Sequence, residues 1–87
     1  MPYPTNLDVQ ELNQQVGRKI NEEARNNPQS PYANKWVGIA NGQVVVVDDD
    51  FERMIRRLQQ IEPDRSKTGW IEASRDYTVV EYIWRLH

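Results

Sequence analysis

The fold of this 87-residue chain is decided by residues 35–47, which read KWVGIANGQVVVV. Asn41-Gly42 at the centre is the dipeptide most typical of a two-residue β-hairpin, because both central residues of a type I′ turn need a positive φ. Apolar and β-branched residues flank the dipeptide on both sides, as strands prefer. The sequence therefore predicts a hairpin with strands at 35–40 and 43–47.

A two-residue loop fixes the register of the predicted hairpin. One face then consists of β-branched residues only: Ile39 opposite Val44, and Val37 opposite Val46. The other face is almost as apolar but shallow: Trp36 opposite Val47, Gly38 opposite Val45, and Ala40 opposite Gln43. We expect the first face to be core and the second to be covered by another element. The N-terminal helix and a second copy of the chain are the two candidates.

Helical periodicity predicts one helix on each side of the hairpin. The first helix begins with Asp8 as its cap and ends before Pro28. It has a narrow apolar stripe: Val9, Leu12, Val16, Ile20 and Ala24. The second helix begins with Asp49 as its cap, paired with Glu52 in a capping box, and ends at Pro63. Its apolar face is broader: Phe51, Met54, Ile55, Leu58 and Ile61.

The last third of the sequence reads as a second strand pair. We expect a strand at Trp70–Ser74, a turn at Arg75–Tyr77 and a strand at Thr78–Leu86, where apolar residues alternate. The complete pattern is α-ββ-α-ββ, an α+β fold with a mainly antiparallel sheet and helices packed on it. Residues 1–34 form a helical arm and linker and residues 35–87 a ββαββ core, within a single domain.

Composition limits the classes of function. Only 38% of the residues are hydrophobic, so we expect a thin core and marginal stability, or help from a partner. The net charge of −2 argues against a protein that coats nucleic acid. The absence of cysteine excludes disulfides and favours the cytoplasm, and no apolar run reaches the roughly 18 residues of a membrane span.

The sequence contains no residue set typical of an enzyme. His87 is the only histidine and stands at the end of the sequence, a poor position for a catalytic base. The acids at 48–50 are better explained by helix capping than by cation binding. We therefore predict no catalytic residue, no metal site, no cofactor and no small-molecule ligand. An enzyme using carboxylates alone, such as Asp48 or Glu72 with Glu81, is a minor alternative.

Two residue sets are candidates for contacts with other molecules. The aromatic and apolar candidates for contact with a protein partner or a second copy are Trp36, Val45, Val47, Val9, Leu12, Val16 and Ile20. Tryptophan and tyrosine are frequent in the energetic centres of protein interfaces. The basic candidates for anion or nucleic-acid contact are Arg53, Arg56, Arg57, Arg65 and Lys67. Acidic residues border this basic set, so a solvated helix face explains it more simply.

The segment Tyr32–Val45, continued to Asp49 and the second helix, resembles a small prokaryotic family of unknown function. The shared pattern is Tyr-Ala-Gly-Lys-Trp-Val, a short gap, Asn-Gly, a valine-rich strand and acids that open a helix, over about residues 31–62. Asn34 stands where the family usually has glycine, and both residues tolerate a positive φ. The resemblance implies a short stand-alone prokaryotic protein. Its hairpin-then-helix unit is also similar to small antitoxin domains.

The sequence thus favours a non-enzymatic, cytoplasmic protein–protein interaction module, either an adaptor or an antitoxin-like partner, with a possible homodimer. The alternative hypothesis is a weak nucleic-acid or anion binder that uses the basic face of the second helix. Salt dependence of binding would separate the two, because phosphate contacts weaken steeply as ionic strength rises.

Overall fold

The computed structural model describes residues 6–76 of the chain. The elements are α1 (Asn6–Asn26), β1 (Trp36–Ala40), β2 (Gln43–Asp48), α2 (Phe51–Ile61), a short 3₁₀ helix (Arg65–Lys67) and β3 (Thr68–Glu72). This order of helix, strand pair, helix and strand confirms the predicted α+β class. The strand predicted at Thr78–Leu86 lies outside the described residues.

The three strands form an antiparallel sheet in the order β2-β1-β3. Asn41 and Gly42 have φ of 53° and 78°, which confirms the predicted hairpin turn. α1 packs on one face of the sheet, mainly against β3, and α2 packs on the other face, against β2 and β1. The central strand β1 is therefore enclosed by the chain itself on both sides.

The shallow face is covered by α2, and not by the N-terminal helix or a second copy, which were the two candidates. α1 lies on the β-branched face, where Ile20 and Ala24 pack with Val37 and Ile39. α2 lies on the shallow face, where Met54 and Leu58 pack with Ala40 and Val46. Gly38 is the reason, because a Cβ at this position would lie 3.3 Å from Leu58 Cδ1 and 3.3 Å from Met54 Sδ. The absent side chain lets α2 approach the strand closely.

A β-bulge makes the predicted register wrong beyond the two pairs next to the turn. Ala40 pairs with Gln43 and Ile39 with Val44, as expected, but Gly38 pairs with Val46 and Val37 with Val47. Val45 is therefore the extra residue of β2, and both Val45 and Val46 pack on the α2 side. Beyond the bulge, Val47 lies on the α1 side, since paired residues of neighbouring strands share a face.

The buried face of α1 is more polar than its predicted stripe. Leu12 is 47% exposed, whereas Asn13 and Gly17 are buried. Asn13 Nδ2 donates to the Lys67 carbonyl at 3.0 Å, and its Oδ1 accepts from the Gly42 N–H at 2.7 Å. The helix also begins before Asp8, which lies in its first turn and is not its cap.

A second asparagine holds the other half of α1. Asn21 Nδ2 donates to the carbonyls of Ala73 and Arg75 at 2.8 and 2.7 Å. α1 thus bonds to the hairpin turn through one amide and to the end of β3 through another. These two asparagines account for part of the polar composition of the N-terminal third.

The second helix follows its prediction closely. Met54 and Leu58 are its buried residues, and Pro63 lies two residues beyond its end. The N-cap is Asp50, whose side chain accepts from the Arg53 N–H at 2.8 Å, and not Asp49 as predicted. The predicted third strand is shifted by two residues, because β3 covers Thr68–Glu72.

We expect Gly38→Ala to lower the free energy of unfolding by about 1 kcal/mol or more, because the new methyl group overpacks the contact with α2. Gly69→Ala is the matched control, since a Cβ there meets only Asn13 Cβ, at an ordinary 3.7 Å. Chemical denaturation measures both variants. Equal stabilities would contradict a tight contact at Gly38.

We expect Asn13→Ala to lower the free energy of unfolding by about 1–3 kcal/mol, because it leaves the Gly42 N–H without its partner and removes one of the two bonds to the Lys67 carbonyl, which keeps its bond from the Asn41 N–H. Gln14→Ala, on the exposed side of the same helix turn, should change stability by no more than about 0.5 kcal/mol. Thermal unfolding followed by circular dichroism compares the two. A neutral Asn13 variant would show that these bonds contribute little.

Candidate interaction surfaces

Among residues 6–76, two apolar surfaces remain exposed because each helix leaves one edge strand largely uncovered. α1 packs mainly on β3 and reaches β2 less, while α2 packs on β2 and β1. Beside β2, on the α1 side, Val47 is 37% exposed; beside β3, on the α2 side, Trp70 is 51% exposed. We call these surfaces the valine edge (the outer edge of β2 at Val44–Val47, where the Val47 side chain is the exposed one) and the tryptophan groove (Phe51, Ile55, Leu58, Gln59, Arg65 and Trp70).

The valine edge is a run of four β-branched residues on a strand that has one free side. Val44 is partly buried against the α1 core, and Val45 against the α2 core. Within residues 6–76, β2 pairs only with β1, so its outer N–H and C=O groups face away from the sheet. An edge of this kind is a template for another strand unless charge, proline or a bulge limits it.

The tryptophan groove is a depression of about 310 Å³ between α2 and β3. Its aromatic wall is an edge-to-face cluster in which the Phe51 and Trp70 rings lie 4.8 Å apart and the Trp36 and Trp70 rings 5.9 Å apart. Trp70 pairs with Gly38 across the strands, and α2 does not extend over it. The groove therefore combines a half-exposed tryptophan with one cation, Arg65.

The residues predicted as a contact surface are distributed between core and surface. Buried in the core or partly buried are Val9, Ile20, Val16, Trp36 and Val45. Exposed are Leu12 and Val47. Leu12 lies beside the hairpin turn, within contact distance of Gly42. Most of the predicted α1 stripe thus packs on the chain's own sheet.

Asp48 forms the main ionic cluster of the described chain. Its side chain is 4% exposed, and it accepts from Arg53 Nε at 2.8 Å, from Arg57 Nη1 at 3.2 Å and from the Asp50 N–H at 3.0 Å. Arg53 first, then the Asp50 N–H and Arg57, hold the pKa of Asp48 well below its usual range. Asp48 therefore fastens the end of β2 to α2.

The Asp48 cluster also affects the five basic residues predicted for anion or nucleic-acid contact. Arg53 and Arg57 share the Asp48 carboxylate, so part of their charge is neutralised within the chain. Arg56 and Arg65 are exposed, while Lys67 is partly buried. The five cations therefore do not form one free basic face.

Of the carboxylates considered for catalysis, Asp48 and Glu72 lie among the described residues, and each lies beside arginine. Asp48 is bound by arginines, and Glu72 lies 4.0 Å from Arg75, while Glu81 and His87 lie outside the described residues. Among residues 6–76, no group of three or more His, Cys, Asp or Glu side chains could hold a metal ion. Neither α1 nor α2 is both long and apolar enough to cross a membrane.

Comparisons of the chain with protein-family models, curated proteins and solved structures found no match. The resemblance of residues 31–62 to a small prokaryotic family stays a prediction. Asn34 has a φ of 61°, a left-handed conformation that asparagine adopts more readily than most residues.

Sequence reasoning missed the open position of Trp70, and it placed Val47, which it did name as a contact residue, on the wrong face of the hairpin. The first follows from the place of α2, which covers the other edge strand. The second follows from the bulge, which no motif in a uniform valine run indicates. Gly38 and Trp70 pair across neighbouring strands. This contrast between a small and a large residue was the available signal for the open position of Trp70.

We expect Asp48→Asn to lower the melting temperature by several degrees at pH 7, because it leaves Arg53 and Arg57 without their partner. The folded pKa of Asp48 lies below its unfolded value of about 4, so its stabilisation is complete above pH 4 and is lost as the pH falls below it. The gap between wild type and variant should therefore narrow on acidification.

Asp49→Asn is the matched control for this experiment. Asp49 forms an exposed ion pair with Lys35, and such pairs contribute little to stability. Melting curves from pH 7 to pH 2.5 measure all three proteins. A constant gap between wild type and Asp48→Asn across this range would contradict the assigned role.

Proposed function

We propose that this chain is a non-enzymatic protein–protein interaction module that binds an extended segment of another protein chain along the valine edge. The observation that supports this most directly is Val47, a β-branched side chain exposed on the open side of an edge strand. Edge strands recognise extended segments through main-chain hydrogen bonds, and neighbouring side chains provide selectivity. Val47 is the proposed anchor of the contact.

The bulge sets the length of the proposed contact. It interrupts regular pairing at Val45, and bulges on edges restrict indiscriminate strand addition. A partner strand would therefore pair with the short stretch Val46–Asp48. Such a contact is small, which suits a regulated or transient partner.

A second copy of the chain satisfies these requirements. An antiparallel copy of β2 centred on Val47 places Val47 beside the same residue of the second chain across a two-fold axis, the commonest symmetry of homodimers. An adaptor or antitoxin-like protein of the cytoplasm would present the same edge to its partner. The neutralised Arg53 and Arg57 favour this function over the anion-binding alternative.

The test compares Val47→Lys with Ile61→Lys. Both replace an exposed apolar side chain, but Ile61 is the last residue of α2, which packs on the face of the sheet opposite Val47. A lysine on an edge blocks strand addition because its charge would be buried by the partner. Sedimentation equilibrium should show self-association that Val47→Lys weakens at least about tenfold and Ile61→Lys preserves.

If the wild-type chain is monomeric, the same three proteins are immobilised and exposed to cytoplasmic extract of the source organism. A protein that binds the wild type and Ile61→Lys, and is lost with Val47→Lys, supports the proposal. A monomeric wild type together with a Val47→Lys variant that retains every captured protein would overturn it.

A further inference from the structure

Asn41 is the only asparagine in the sequence that precedes a glycine. An asparagine in this position can lose its side-chain amide without an enzyme, because glycine has no side chain to hinder the approach of its backbone nitrogen. Gly42 N loses its proton and attacks Asn41 Cγ, the Cγ–Nδ2 bond breaks, and ammonia leaves. Water then opens the resulting succinimide at either carbonyl, which produces aspartate or isoaspartate.

The nucleophile of this reaction, the Gly42 nitrogen, is bonded to α1. The hydrogen bond of a two-residue turn runs between the residues that flank the turn, so the Gly42 N–H is not part of it. This N–H donates instead to Asn13 Oδ1 at 2.7 Å. Leu12, from the same helix turn, lies against Gly42, which is partly buried. The nitrogen is therefore both bonded and shielded from the base that must remove its proton.

The amide that leaves in this reaction is bonded to a different element. Asn41 Nδ2 donates to Glu62 Oε1 at 3.1 Å, and Glu62 is the C-cap residue of α2. The two helices lie on opposite faces of the sheet. Asn41 itself is exposed, so water reaches its side chain. Within the described chain, the group that is attacked is thus accessible and the nitrogen that attacks is covered.

We propose that Asn41 is a site of spontaneous deamidation whose rate is controlled by Asn13. The reaction proceeds when the Asn13 end of α1 leaves the hairpin turn, because the Gly42 N–H is then free to lose its proton. Local openings of this kind require less free energy than unfolding of the whole chain. Asn13 is a positioning residue that protects the turn, and the modification records how often α1 has undocked. The site does not depend on the proposed function.

The isoaspartate product does not fit the hairpin turn. Its backbone runs through the side-chain carbon, so the loop gains one backbone atom, and the loop length fixes the register of both strands. Either product also adds a carboxylate to a turn that is bonded to Glu62, and like charges repel. A chain that has formed isoaspartate therefore lacks the two-residue loop on which the docking of α1 depends.

Deamidation of the full-length chain at mildly alkaline pH tests the proposal, because the amide nitrogen loses its proton more readily there. The wild type is compared with Asn13→Ala, which removes the acceptor of the Gly42 N–H. Gly38→Ala is the matched control, since it destabilises the α2 side and keeps the Asn13 bond. Peptide mass spectrometry with fragmentation that separates aspartate from isoaspartate measures the rate at Asn41. A synthetic peptide of residues 38–46 gives the rate without a fold.

We expect the wild type to deamidate far more slowly than the peptide. Asn13→Ala should react at least about fivefold faster than the wild type, whereas Gly38→Ala should react at a rate close to that of the wild type. An Asn13→Ala rate equal to the wild-type rate would overturn the proposal, because the turn conformation alone would then protect Asn41. Equal acceleration in Gly38→Ala would also overturn it, since the reaction would then proceed through global unfolding.

A measurement on the wild type is sufficient if Asn13→Ala does not fold. Hydrogen exchange of the Gly42 N–H, followed by NMR, requires the same release from Asn13 as deamidation does. The ratio of the peptide rate to the protein rate should therefore be similar for exchange at Gly42 and for deamidation at Asn41. A Gly42 N–H that exchanges as fast as in the peptide, or an Asn41 that deamidates as fast as in the peptide, would contradict control by Asn13.

Discussion

The structure depends on the enclosure of one strand, β1, between two helices. Four of its five residues, Val37–Ala40, are buried, and the two faces solve the same packing problem in opposite ways. On the α2 side the strand supplies the glycine, Gly38, and the helix supplies Met54 and Leu58. On the α1 side the helix supplies the glycine, Gly17, which lies over Ile39 and Ile71. Because each large side chain fits against a glycine of the facing element, a thin chain can bury both sides of a strand.

The enclosure of β1 between two helices explains how a chain of low apolar content buries both faces of its hairpin. The sequence has two apolar hairpin faces and little material to cover them, and the chain covers both with its own helices. Because each helix lies over a different edge strand, an apolar patch stays exposed beside the edge strand that the helix does not cover. The valine edge and the tryptophan groove are therefore consequences of one packing scheme, and they lie on opposite faces of the sheet at opposite edges.

The order of elements through β3, the hairpin turn and the core positions Met54 and Leu58 could be predicted, because local turn chemistry and a broad helical period determine them. The register beyond Ile39 could not, since four consecutive valines give no sign of where an extra residue is placed. The burial of Asn13 in place of Leu12 also escaped prediction, because its carbonyl and N–H partners come from residues 67 and 42. The choice of the helix that covers each face depends on the same kind of long-range contact and could not be predicted either. The candidate surfaces follow from that choice.

The two helices are fastened by different chemistry. α1 is held by the neutral amides of Asn13 and Asn21, whose bonds to the backbone do not change with proton or salt concentration. α2 is held at its first turns by the carboxylate of Asp48 and two guanidinium groups, an attachment that acid weakens. At acidic pH, α2 would therefore separate from the sheet before α1 does. α1 stays packed on β1 and β3 while the contacts between Trp36 and α2 are lost.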